Sequence, residues 1–158
     1  MIINRLSKDD TKKAPLRVAI NGFGRMGRLA LRAAWGFDPA NPSSLTTPSN
    51  AWGAGTFDIV HINEPEADAA LSAHLLAFDS VHGRWPLAVS AQDDAIKIGD
   101  KTLSYSQAAS PAEIDCNKLG IDIVLECSGK FKKTSALHPY FDAGVKRVVV
   151  SAPVKDCL

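Results

Sequence analysis

The tightest constraint on what this chain can fold into lies near its start, where an apolar run meets a glycine-rich turn and then a helical pattern. Leu16–Asn21 (LRVAIN) has the branched, apolar character of a buried strand. Gly22-Phe23-Gly24-Arg25-Met26-Gly27 follows directly, and the segment RLALRAAW continues it with Met26, Leu29, Ala30 and Ala33 at helical spacing. Strand, glycine turn and helix in that order make the first half of a βαβ unit, which gives the GxGxxG a meaning it lacks alone. Each glycine then has its own task. Gly22 permits the tight turn, Gly24 lets the main chain approach a pyrophosphate with no side chain between, and Gly27 lets the helix pack closely on the sheet. The helix start at Arg25 and Met26 offers unpaired N–H groups and a positive dipole end to the phosphates. The pattern predicts a dinucleotide site.

Further along, Phe57–Asn63 (FDIVHIN), residues 121–127 (IDIVLEC) and residues 146–151 (KRVVVS) read as strands. Their near-continuous apolar runs predict burial on both faces, the mark of a parallel sheet covered by helices on two sides. Residues 66–78 predict a helix with Leu71, Leu75 and Phe78 on one face, and residues 134–143 a second helix closed by Gly144. Residues 95–104 alternate around Gly99-Asp100, which predicts a two-residue hairpin as an antiparallel excursion. Residues 37–56 are rich in Pro, Ser, Thr, Asn and Gly and read as a surface insertion between the first helix and the second strand. The expected fold is a doubly wound, mostly parallel α/β sheet over residues 16–158, preceded by a polar extension at 1–15.

The second strand of such a fold should end in a carboxylate that binds the adenine ribose. Glu64 stands there, 37 residues beyond Gly27 rather than the usual ~20, and the insertion accounts for the excess. Glu64 also suits the start of the next helix, where a negative charge meets the dipole. A carboxylate at the ribose disfavours a 2′-phosphate, so NAD is expected over NADP.

Charge and cysteine usage narrow the function classes. With 18 basic against 17 acidic residues the chain has no electrostatic footprint for nucleic acid and no polybasic block for a lipid surface. No apolar run reaches the ~18–20 residues of a membrane span, and residues 1–15 lack the apolar centre of a secretory signal. Cys116, Cys127 and Cys157 are odd in number and lack metal-ligand spacing, so a soluble, reduced, cytoplasmic protein without a metal is expected. His61, His74, His82 and His138 form no constellation. Lys130, Lys132 and Lys133 flank Phe131 as a small basic cluster, expected at a solvated helix start.

The motifs INGFGRMGRLALRAA, HINE, FDSVHGR, LECSGKF and VVVSAPVKD, in that order, resemble the N-terminal half of phosphorylating glyceraldehyde-3-phosphate dehydrogenases. The resemblance spans residues 16–156 apart from the insertion, and its wording is similar to the branch encoded in bacterial arsenic-resistance operons. It implies a Rossmann-type NAD domain in which Asn21, Gly22, Phe23, Gly24, Arg25, Met26 and Gly27 wrap the pyrophosphate. It further implies that Glu64 holds the ribose with Asn63 before it, that Ser128, Gly129 and Phe131 line the cofactor cleft, and that Ser151 lies near the nicotinamide. Two departures stand out. Ala108-Ala109-Ser110-Pro111 replaces a Glu-Arg pair ahead of the proline, so an arginine at the adenine is missing, and Glu replaces the usual Asp at 64.

Full-length members of that family are homotetramers that oxidise glyceraldehyde 3-phosphate through a cysteine thiolate in a Ser-Cys-Thr-Thr-Asn segment beyond the last of these motifs. This sequence reads Cys157-Leu158 there, so the catalytic half is expected to be absent, with no catalytic residue in the chain. Two roles follow: the cofactor half of a dehydrogenase, inactive alone and not binding the aldehyde, or a catalytically silent nucleotide-binding or interaction module.

Overall fold

The computed structural model describes residues 14–36 and 56–155. The polar extension, apart from Ala14 and Pro15, the insertion, apart from Thr56, and Cys157 lie outside the described residues.

Nine strands and three helices follow one another along the described chain. β1 (Leu16–Asn21) leads through the glycine turn into α1 (Arg25–Ala34). β2 (Phe57–Asn63) leads into α2 (Ala69–Ala77) and a small two-stranded ribbon, β3 (Phe78–Asp79) with β4 (Gly83–Arg84). Then come β5 (Val89–Ala91), β6 (Ala95–Ile98), β7 (Lys101–Ser106), β8 (Ile123–Glu126), α3 (Thr134–Asp142) and β9 (Arg147–Val150). The main sheet has seven strands in the order β5-β6-β7-β2-β1-β8-β9. β7, β2, β1, β8 and β9 run parallel, and β5 and β6 form the antiparallel excursion. Gly99 takes φ +56° as the first turn residue between β6 and β7, as the hairpin pattern requires.

The pleat explains why β1 is apolar throughout. Val18 and Ile20 enter one core with Leu31 of α1 and Leu76 of α2, while Ala19 enters the other with Leu137 and Tyr140 of α3. α3 ends in a Schellman motif: Gly144 (φ +88°) donates to the Phe141 carbonyl and Val145 to that of Tyr140.

Three sequence expectations need correction. The helix expected over residues 66–78 begins only at Ala69, where the Asp68 carboxylate accepts from the Leu71 N–H at 2.7 Å. Its expected apolar face points outward, with Leu71 and Phe78 about half exposed, while Ala69, Ser72, Ala73 and Leu76 are buried. In α1 the buried positions are Gly27, Leu31 and Arg32, and Met26 is 57% exposed. The buried stripes are made of small residues and an arginine tethered to the Leu76 carbonyl, which spacing of large apolar residues does not reveal. Strand β9 is not buried on both faces: Val149 is 55% exposed and lines an apolar groove of about 610 Å³ with Val18, Trp35, Phe57, Ile59 and Leu125.

Candidate functional site

The chain leaves β1 for β2 on one side and later fills β8 on the other. That divergence creates a crevice at the carboxyl ends of the parallel strands, where doubly wound sheets bind ligands. Asn21, Asn63 and Glu126 close β1, β2 and β8 in mutual register, and Ser106 aligns with Asn63.

The three turn glycines meet different demands. Gly22 has φ +88°, and a Cβ there would lie 2.3 Å from the Ser128 nitrogen. A Cβ on Gly27 would fall 2.3 Å from the Gly22 carbonyl oxygen, so close packing of α1 on the turn requires it. Gly24 differs: its φ is −63°, and a Cβ there would meet nothing within 4 Å. No internal contact or backbone angle demands glycine at this position. It caps α1 without a side-chain hydrogen bond, and no acidic residue stands in the first turn. An open approach to unpaired N–H groups is what a pyrophosphate needs, so the turn fits the ligand that the motif predicts.

Phe23 contributes only its main chain. Its ring is buried in the core, while its N–H donates to Glu64 Oε2 at 2.7 Å and its carbonyl accepts from Arg28 at 2.9 Å. Glu64 thus reaches across from the end of β2 to the glycine turn, and its Oε1 accepts from the Glu66 N–H at 3.0 Å. Arg25 and Met26 are exposed at the helix start, and the Arg25 guanidinium turns toward Asp79 at 3.8 Å. The His82 N–H, with the Val81 N–H and the Arg25 charge, holds the Asp79 carboxyl below its ordinary range.

Asn21 and Asn63 lie beneath the crevice, buried and committed to a polar row. The Ala108 main chain fixes the Asn63 amide, donating to Oδ1 at 2.8 Å and accepting from Nδ2 at 3.0 Å. With Nδ2 so placed, it donates to Asn21 Oδ1 at 2.7 Å, which turns the Asn21 Nδ2 toward Glu126. Asn63 Oδ1 also accepts from the Ser106 hydroxyl at 2.6 Å. The Ser106 hydroxyl also meets His61 Nε2 at 3.0 Å, and the Ser104 hydroxyl meets its Nδ1 at 2.8 Å. Burial lowers the His61 pKa to about 4, so the ring is neutral and structural.

Ser128 and Gly129 form the far wall, with Gly129 exposed at φ +68°. Phe131 is half-buried and packs against the core under α3. Ser151 is exposed just beyond β9, and its N–H donates to the Glu126 carbonyl at 2.9 Å. Lys130 pairs with Glu66 at 2.8 Å across the mouth rather than standing free at a helix start. Burial pushes the Cys116 thiol up to about 11 and raises that of Cys127. Among the described residues no group of His, Cys, Asp or Glu could hold a metal ion.

Glu126, Tyr140 and Arg32 carry structural weight that motif reading passed over. Arg32 is buried and donates to the Leu76 carbonyl at 2.6 and 3.0 Å, with its guanidinium 5.7 Å from the Trp85 ring. The available signals were a charge on the inner stripe of α1 and a carboxylate closing an apolar strand.

Fold and crevice together define a dinucleotide-binding domain of the doubly wound class. The family described as the NAD-binding domain of glyceraldehyde 3-phosphate dehydrogenase matches residues 16–134, and the chain belongs to it. Its relatives include glyceraldehyde-3-phosphate dehydrogenase 3 of Nostoc sp., 46% identical over 141 residues that make up 89% of this chain and 37% of the relative. Glyceraldehyde-3-phosphate dehydrogenase 1 of Giardia intestinalis is 37% identical over 144 residues, 90% of this chain and 37% of the relative. The Pseudomonas aeruginosa enzyme is 36% identical over 141 residues, with 89% and 38% covered. The chain thus spans somewhat over a third of the length of these relatives. Among the described residues no helix is long and apolar enough to cross a membrane.

Proposed function

We propose that this domain holds NAD with its pyrophosphate over Gly22–Met26 and its adenine ribose on Glu64, and serves as the cofactor half of an aldehyde-oxidising dehydrogenase. Bound NAD supplies the hydride acceptor of that chemistry. The chain's own residues bind and orient it. The N–H groups at the start of α1 face the phosphates, Glu64 accepts from the ribose hydroxyls and the Phe23 N–H, and Ser128 and Gly129 wall the crevice. Asn21 and Asn63 support the strand ends from below and do not touch the ligand. Glyceraldehyde 3-phosphate is the substrate that the relatives' names give, and we carry it to the whole protein.

The observation that carries this proposal is Gly24, a glycine that no internal contact or backbone angle demands, at an uncapped helix start. Cytoplasmic residence belongs to the same proposal, supported by free thiols at Cys116 and Cys127. Calorimetric titration with NAD tests the cofactor assignment. Saturable one-to-one binding that NADP matches only weakly is expected, and no heat of binding would refute it.

A further inference from the structure

Glu126 is 1% exposed at the end of β8, and among the described residues each hydrogen-bond partner of its carboxylate is a neutral donor. The polar row dictates which atom holds each proton there. Ala108 fixes Asn63 and Asn63 fixes Asn21, so the Asn21 Nδ2 must donate, to Glu126 Oε2 at 2.7 Å and to the Tyr140 oxygen at 2.6 Å. Tyr140 therefore turns its own proton to Oε2, also at 2.7 Å. On the other side the Ser128 hydroxyl accepts from the Lys130 N–H at 3.1 Å and gives its proton to Oε1 at 2.5 Å. The Ser128 N–H donates to the same oxygen at 2.9 Å. Four donors converge on two oxygens, so the carboxylate acts as acceptor only.

Its consequence lies one turn away. The Ser128 main chain is pressed against Gly22, where even one added carbon would come within 2.3 Å of its nitrogen. Gly22 limits Ser128 from one side and Glu126 holds it from the other. We propose that Glu126 is a positioning residue for the dinucleotide. It touches no ligand, and it sets the Ser128-Gly129 turn against the glycine turn so that both walls of the crevice are spaced for one pyrophosphate. This rests on NAD occupying the crevice.

Glu126→Gln keeps the shape and puts an N–H₂ where only an acceptor fits, leaving buried donors unsatisfied. Tyr140→Phe is the control, because it removes a donor from Oε2 and leaves both Ser128 contacts in place. NAD affinity by calorimetry, thermal midpoint by circular dichroism and Ser128 amide exchange by NMR are measured on the full 158-residue chain. Tyr140→Phe should lower the midpoint and leave NAD affinity within about twofold. Glu126→Gln should weaken NAD on the order of 10- to 100-fold at temperatures where both variants are folded. Its Ser128 amide should also exchange faster. Should Glu126→Gln not fold, Glu126→Asp, which keeps the charge and shortens its reach, is read the same way. Wild-type affinity in the Glu126 variant, with the wild type binding NAD, overturns the positioning role alone. Affinity losses that only follow the loss of midpoint in both variants also overturn it. A wild-type chain that does not bind NAD removes the cofactor assignment, and this inference with it.

Discussion

Valine at position 24 should abolish NAD binding and leave the fold intact, whereas alanine at position 22 should damage both. At Gly24 the backbone lies at φ −63° and ψ −165°, a region open to any residue, and a new Cβ meets nothing within 4 Å. The change at a helix N-cap from glycine to an apolar residue costs about 1 kcal/mol. The isopropyl group instead fills the approach to the helix N-terminus. Displacing a phosphate from two main-chain N–H groups forfeits roughly 1.5–3 kcal/mol each, which is on the order of 100-fold in affinity or more. At Gly22 the ledger reverses. Alanine at φ +88° meets about 1–2 kcal/mol of backbone strain. Displacing the Ser128 main chain from 2.3 Å adds roughly 1–3 kcal/mol. That total is a large share of the ~5–15 kcal/mol that holds a domain together. Urea denaturation and NAD calorimetry on both variants separate the two effects. A Gly24→Val chain that unfolds as readily as Gly22→Ala, or that binds NAD like the wild type, would refute the reasoning.

Glu64→Ala should narrow the preference for NAD over NADP, since a 2′-phosphate ~4 Å from a carboxylate is repelled by about 4 kcal/mol at an effective dielectric near 20, and by less once solvent and salt screen it; paired titrations giving an unchanged ratio would place the ribose elsewhere. His61 should make the fold acid-sensitive. The unfolded chain takes up its proton near pH 6.5 and the folded one only near 4, so stability is full above pH 6.5 and falls as pH drops toward 4, by up to about 3 kcal/mol; the denaturation midpoint of His61→Gln should fall less over that window. Arg32→Met should leave the Leu76 carbonyl unpaired in the core and cost about 2–4 kcal/mol, read as a lower urea midpoint at unchanged NAD stoichiometry.

The parts of the fold legible in the sequence are those set by local chemistry. Gly22 and Gly27 announce the turn because each answers a separate geometric demand, and Gly99-Asp100 and Gly144 announce the hairpin and the helix end for the same reason. The inner faces of α1 and α2 were not legible. They are lined by Gly27, Ala69, Ala73 and the tethered Arg32, small or charged residues whose burial depends on the neighbours that the fold brings to them. Leu71, Leu75 and Phe78 have the spacing of a core face and stand at the surface instead. At the candidate site, Glu64 could be placed from its position at the end of a strand. The role of Glu126 could not, because it depends on strand register: only when β1 lies between β2 and β8 do Asn63, Asn21 and Glu126 become one hydrogen-bonded row.

The central claim, that NAD lies over the glycine turn between Glu64 and Ser128, is tested most directly by titrating NAD into the ¹⁵N-labelled chain and following the amide resonances. Saturable shifts centred on Gly22, Gly24, Arg25, Met26, Glu64, Ser128 and Gly129 are predicted, with the signals of Trp35, Leu87 and Val149 in the apolar groove unmoved. Shifts that cluster in that groove, or a spectrum unchanged at millimolar NAD, would contradict it.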